Sequence, residues 1–201
     1  MRNPIDLLTH GLPRQWRIAI DWAITILGAV AIVLAIKAYV VNPYRIPSSS
    51  MEPTLHCARP GSGCLARFSD RVLANRFIFH FRKPHRGEIV VFKTPPAAEV
   101  ACGGEGGTFV KRLMALPGDR WRMQDGFLYV NGERLNEPYV QPQRRGEDTI
   151  PEKTVPNGQY LMLGDNRASS CDSRRWGTVP RKNLIGPVFA RYWPPRRIGF
   201  E

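Results

Sequence analysis

Residues 22–41 read WAITILGAVAIVLAIKAYVV, with Lys37 the only charge among them. At 1.5 Å per residue a helix of this length covers about 30 Å, enough to cross the hydrocarbon core of a bilayer. The apolar character runs all the way round such a helix, so there is no polar face to present to water. Lys37 lies near the far end, where its long stem can carry the ammonium to the headgroups. Trp22 and Tyr39 stand near the two ends, as interfacial aromatics do. A cleavable secretory signal is the competing reading. The uninterrupted apolar part, residues 22–36, reaches the upper limit of a signal core, but no clean small-x-small site precedes Lys37 or Pro43. The stretch is therefore expected to be an uncleaved membrane span. Arg2, Arg14 and Arg17 precede it, against Lys37 and Arg45 close beyond it, which leans towards an N-terminus on the cytoplasmic side.

Past Asn42 the continuous apolar run gives way to short alternating ones. Residues 87–94 (GEIVVFKT) and 109–116 (FVKRLMAL) are rich in β-formers and bounded by Gly or Pro. Residues 127–130, Asn131-Gly132 and residues 133–135 read as a hairpin with a two-residue turn. Residues 159–163 and 184–193 supply further strands. Gly103, Gly104, Gly106 and Gly107 mark a loop between two strands; with no GK[ST] following, they form no phosphate loop. The polar stretch 143–156 is expected to be a strandless surface insertion. The fold class expected is mainly β: one N-terminal transmembrane helix, then a mostly antiparallel β domain. The boundaries are an N-terminal segment 1–21, a span 22–41 and a β-rich domain 42–201.

Composition fits this plan. The 201 residues include 18 Pro and 18 Gly, too many for a helical bundle, and 43% hydrophobic residues can fill a core. Lys and Arg outnumber Asp and Glu by 29 to 17, a net charge of +12 that suits anionic lipid headgroups or nucleic acid. Nothing resembling a recognition helix or zinc-finger spacing supports nucleic acid, and none is expected as a partner. Cys57, Cys64, Cys102 and Cys171 permit two disulfides, four buried thiols or a metal site. Cys57-x6-Cys64 is not the tight pair structural zinc needs, so no metal is expected. Outside the cytoplasm disulfides are favoured, with Cys57 to Cys64 and Cys102 to Cys171 preferred among three connectivities.

Residues 48–50 are three consecutive serines, and a serine hydroxyl attacks carbonyl carbon only when a base takes its proton. His10 lies on the other side of the span, and His56, His80 and His85 lack the flanking pattern of a Ser-His-Asp site. Lysine can serve once neutral. Lowering its pKa from about 10.4 to about 8 corresponds to roughly 3 kcal/mol, which desolvation can supply. With period two, Phe109, Lys111, Leu113 and Ala115 share one strand face, leaving Lys111 the sole charge among apolar neighbours, while Arg112 points the other way.

Three boxes in order resemble the type I signal peptidase family: Ser48-Ser49-Ser50-Met51-Glu52-Pro53; Val110-Lys111-Arg112 through Pro117-Gly118-Asp119; and Gly164-Asp165-Asn166-Arg167 through Ser170-Cys171-Asp172-Ser173-Arg174. The resemblance spans residues of about 22 to 193. It implies the β fold shared by signal peptidases and self-cleaving repressor peptidases, an extracytoplasmic catalytic domain, and a membrane-bound serine endopeptidase that removes signal peptides from exported preproteins after a small-x-small motif. By matching position, Ser50 would be the nucleophile and Lys111 its general base. Ser48 would complete the oxyanion hole with the Ser50 N–H, and Ser170 would orient the Lys111 amine. Asp172 and Arg174 would brace the third box as an ion pair, and Asp165 and Arg167 would hold its backbone. Ile46 and Val110 would narrow the substrate pockets. A Cys102–Cys171 bridge would tie that box to the loop before Lys111. No cofactor is implied; the partners are preproteins and membrane lipids. Ser49 departs from the family, which commonly has Gly there. A membrane-tethered binding domain without catalysis is the alternative.

Overall fold

The computed structural model describes residues 13–39, 41–104 and 106–201. The first twelve residues, with Arg2 and His10, and Val40 of the expected span lie outside the described residues. The chain divides after residue 40 into two compact units. In the first, helix α1 (Arg14–Tyr39) runs 26 residues and begins eight residues before the span read from the sequence. Its stretch Arg14–Ala35 is long and apolar enough to cross a membrane. Ile24, Leu27, Ile32 and Val33 are all exposed, apolar surface that water does not favour.

The second unit is built from two antiparallel sheets. The larger has the order β1 (Val41–Arg45), β2 (Arg71–Asn75), β11 (Leu184–Trp193), β3 (Ile89–Lys93), β4 (Thr108–Ala115), β9 (Gln159–Leu163), β10 (Val179–Pro180), with β12 (Gly199–Phe200) against β11. The smaller has the order β7 (Glu133–Arg134), β6 (Phe127–Val130), β5 (Arg120–Gln124), β8 (Ile150–Thr154). Two of the runs read as strands from their β-formers are strands over the same residues: β9 and β11 occupy residues 159–163 and 184–193. In the β6–β7 hairpin Asn131 and Gly132 both take positive φ, 52° and 89°, as a two-residue turn of this hand demands.

One sequence reading needs correction and another an addition. The stretch 143–156 is not strandless: residues 150–154 form β8, pairing with β5 through Trp121 opposite Lys153. Only Ile150 of this edge strand meets the core, so its sequence lacks apolar alternation. The glycine loop is preceded by a short helix, α2 (Pro96–Ala101), opened by Pro96 at a position where a missing N–H costs nothing.

Candidate active site

Residues 46–55 are pinned by Ile46, Met51 and Leu55, which enter a buried cluster with Val72, Val91 and Val188. Between these anchors, Ser49–Met51 winds one 3-10 turn. That places Ser50 at the start of a turn, where backbone N–H groups have no intrahelical acceptor. Ser50 is 8% exposed, and its Oγ lies 3.3 Å from Ser48 Oγ.

The loop after β9 grips this turn. The Asn166 N–H donates to the Ser50 carbonyl at 3.0 Å, and Asn166 Nδ2 donates to the Ser49 carbonyl at 3.0 Å. Gly164 is required by space: a Cβ there would sit 2.5 Å from Ser50 O and 2.2 Å from Ser170 Oγ. The turn is held from the other side by Glu52, whose buried carboxylate accepts from the N–H groups of Cys57 and Leu65 and pairs with His56. The four cysteines form Cys57–Cys64 and Cys102–Cys171. Ser49 packs beside Gly63 of the first disulfide loop; a Cβ on Gly63 would meet Ser49 Oγ at 2.8 Å. The room for a side chain at position 49 thus comes from a glycine elsewhere.

Lys111 comes from β4, opposite Val90, and is only 4% exposed. Its Nζ lies 5.5 Å from the centre of the Phe109 ring. Phe109 and Leu113 join one core cluster, as the alternation predicts. Ala115 does not: a bulge between Leu113 and Ala115 shifts the register against β9 and turns Ala115 into the cluster beneath the small sheet. Ile46, Ser48, Ser50, Val110, Lys111 and Cys171 all line one cleft of about 690 Å³.

The third box forms the wall behind it. Asp172 is fully buried and caps helix α3 (Ser173–Trp176); its carboxylate accepts from Arg174 Nε and Nη2, each at 2.8 Å, and from the Gly164 N–H at 3.0 Å. Burial pushes the Asp172 carboxyl upward, but Arg174, the Lys111 charge and the Gly164 N–H outweigh it and hold it below the ordinary carboxylate range. Asp165 accepts a two-pronged bond from Arg112 at 2.9 and 2.6 Å, and Thr54 Oγ1 donates to it at 2.5 Å. Arg167, fully buried, donates to Gly164 O at 2.9 Å and pairs with Glu137. Ser170 Oγ is buried and makes no hydrogen bond, so the bond to the Lys111 amine implied by the resemblance is not made here.

Sequence reasoning missed Asn166, Glu137 and Glu52. The first stands inside the quoted third box, so its position was in view and its role was not. Glu137 had no local signal, being 30 residues from its partner Arg167.

A buried serine and a buried lysine thus line one cleft of an antiparallel β domain, and an apolar helix precedes that domain in the chain. Residues 19–193 match the family model described as signal peptidase, peptidase S26. The chain is 41% identical over 175 residues to a probable signal peptidase I-2 of Synechocystis sp., covering 87% of this chain and 73% of that one. It is 37% identical over 171 residues to a signal peptidase I of Leptolyngbya laminosa, covering 85% and 78%. A solved signal peptidase I from Enterococcus faecalis aligns at 32% identity over 53% of this chain and 97% of that one, with a TM-score of 0.43. The chain belongs to the signal peptidase family, peptidase S26, whose activity is the removal of signal peptides.

Proposed function

We propose that this chain is a membrane-anchored signal peptidase in which Ser50 is the nucleophile and Lys111 the general base. It cleaves exported preproteins after a small-x-small motif, with its N-terminus cytoplasmic and the domain from Val41 onward outside the cytoplasm. The observation that carries the reading is the joint burial of Ser50 and Lys111 along one cleft.

Lys111 Nζ takes the proton as Ser50 Oγ bonds to the scissile carbonyl carbon. The tetrahedral oxyanion is held by the Ser50 N–H and the Ser48 hydroxyl, donors of a kind worth roughly 10²–10³ in rate. Collapse breaks the C–N bond, and the departing amine of the mature protein carries off the proton held by Lys111. Water, deprotonated by Lys111, then hydrolyses the Ser50 ester and frees the signal peptide. Desolvation favours the neutral amine this requires. The Asp172 carboxylate, which would oppose that, has its charge engaged by Arg174. The Ser170 hydroxyl, buried and without a hydrogen bond, would orient the amine once substrate fills the cleft. Ile46 and Val110 line the cleft and would narrow it to small side chains flanking the scissile bond. An extended substrate would be gripped mainly by main-chain hydrogen bonds.

The test incubates the full chain in detergent with a preprotein carrying a small-x-small junction. Cleavage at that junction by wild type, absent in Ser50→Ala and in Lys111→Ala while both keep the wild-type melting profile, is expected. Activity should rise towards alkaline pH as the amine loses its proton. Undiminished cleavage by either variant overturns the assignment.

A further inference from the structure

Residues 76–86 read RFIFHFRKPHR, four Arg or Lys and no Asp or Glu. They leave β2 at Asn75 and form a turn around a 3-10 segment, Ile78–His80. Asn75 Oδ1 accepts from the N–H groups of Phe77 and Ile78 at 2.9 and 3.0 Å, fixing the start. Phe79 is buried in the main core cluster, with Arg82 and Arg181 over its ring at 5.6 and 5.1 Å, and Arg181 also donates to its carbonyl at 2.5 Å. With Phe79 held inward, the turn carries Phe77 and Phe81 outward, 47% and 70% exposed, edge to face with ring centres 4.7 Å apart. Arg76 and Lys83 are exposed in the same turn, while Arg86 pairs with Asp119 at 2.8 Å and Arg82 with Glu88.

A braced turn that holds two phenyl rings in solvent is unfavourable in water alone. An exposed aromatic pair in a turn that also exposes cations suits the bilayer interface, where rings sit at headgroup depth and cations meet anionic lipid. Position supports it: β1 and β2 pair with Val41 opposite Asn75, so the turn leaves the sheet beside the first residue of the domain. Val41 is two residues along the chain from Tyr39, the last residue of α1.

We propose that the turn 76–86 is a second membrane contact, with Phe77 and Phe81 entering the headgroup layer of an anionic bilayer and Arg76 and Lys83 meeting its phosphates. It rests on α1 spanning the membrane. The test reconstitutes the full chain carrying His80→Cys, labelled with an environment-sensitive fluorophore under non-reducing conditions, in vesicles of phosphatidylcholine with or without phosphatidylglycerol. His80 is exposed and lies between Phe77 and Phe81 in the chain, so the label sits in the turn without replacing either phenyl. Expected are a blue-shifted emission and at least twofold quenching by lipids bearing a nitroxide near the headgroup, strongest with phosphatidylglycerol. Both should be lost in the Phe77→Ser/Phe81→Ser variant and absent for a label at the exposed Glu152→Cys. Water-like emission in both lipids, from vesicles that still cleave preprotein, overturns the proposal and leaves the peptidase reading intact. A blue shift insensitive to the nitroxides but dependent on protein density assigns the turn to protein contact and also overturns it. Alkaline extraction that strips the chain from vesicles overturns the membrane span, and the proposal with it.

Discussion

Replacing Glu137 with Ala is the sharpest test of how the third box is held. Arg167 is fully buried, and its guanidinium has two acceptors: the Gly164 carbonyl and the Glu137 carboxylate. Arg145 also reaches Glu137, at 3.4 Å. Truncating Glu137 leaves the Arg167 charge in the interior with one carbonyl partner. Removing one member of a buried pair costs about 3–5 kcal/mol, because the remaining charge stays desolvated. At about 2–4 °C per kcal/mol for a domain of this size, melting should fall by roughly 6–20 °C. Because Arg167 holds the Gly164 carbonyl and Gly164 lies against Ser50, cleavage should drop even well below the new melting temperature. Thermal scans of the detergent-solubilised chain, followed by near-ultraviolet circular dichroism, give the first number; initial rates on a preprotein give the second. The double variant Glu137→Leu/Arg167→Met removes both charges and should recover most of the lost stability but not the activity. A fall below about 3 °C for Glu137→Ala would refute the reasoning, since it would mean that Arg167 can reach water or another acceptor.

Two further outcomes follow from the same contacts. Gly63→Ala puts a Cβ 2.8 Å from Ser49 Oγ at a φ of +72°, so kcat/KM should fall about tenfold for roughly 1.4 kcal/mol of strain passed to the Ser49–Met51 turn. Ser49→Gly in the same chain should restore part of it, and no restoration would mean that the backbone angle alone is responsible. The Asp172 carboxyl is held below its unfolded value, so it contributes stability that is fully present above about pH 4 and is lost as pH falls through its folded value. Melting temperature against pH should therefore drop on the acid side, with a shallower slope in Asp172→Asn; equal slopes would show that Asp172 carries none of that linkage.

How much of this was legible depends on the range over which each signal acts. Strands such as β9 and β11 could be read because each is a short run of apolar and β-forming residues; the last four residues of β9 are all buried, so adjacent composition, not alternation, carried the signal. The Asn131-Gly132 turn was legible for a related reason: positive φ at two neighbours restricts residue choice locally. Lys111 was visible as one charge on an apolar face, although the bulge that removes Ala115 from that face was not, because a bulge is set by the partner strand β9. Edge strand β8 was hidden because its only core contact is Ile150, so burial imprints no period on it.

The contacts that place Ser50 are of another kind. Asn166 bonds to Ser49 across 117 positions and Arg112 to Asp165 across 53. Hydrogen-bond complementarity at such separations leaves no periodic trace in a single sequence, and Ser50 itself sits among three serines that composition cannot tell apart. The three boxes carried by resemblance supplied the choice. What they could not supply is the accommodation of Ser49, where a side chain in place of the usual Gly fits because Gly63, in a loop closed by Cys57–Cys64, yields the space. The departure and its compensation are therefore one feature. A family pattern read box by box sees only its first half, because the second lies in a segment that the boxes do not include.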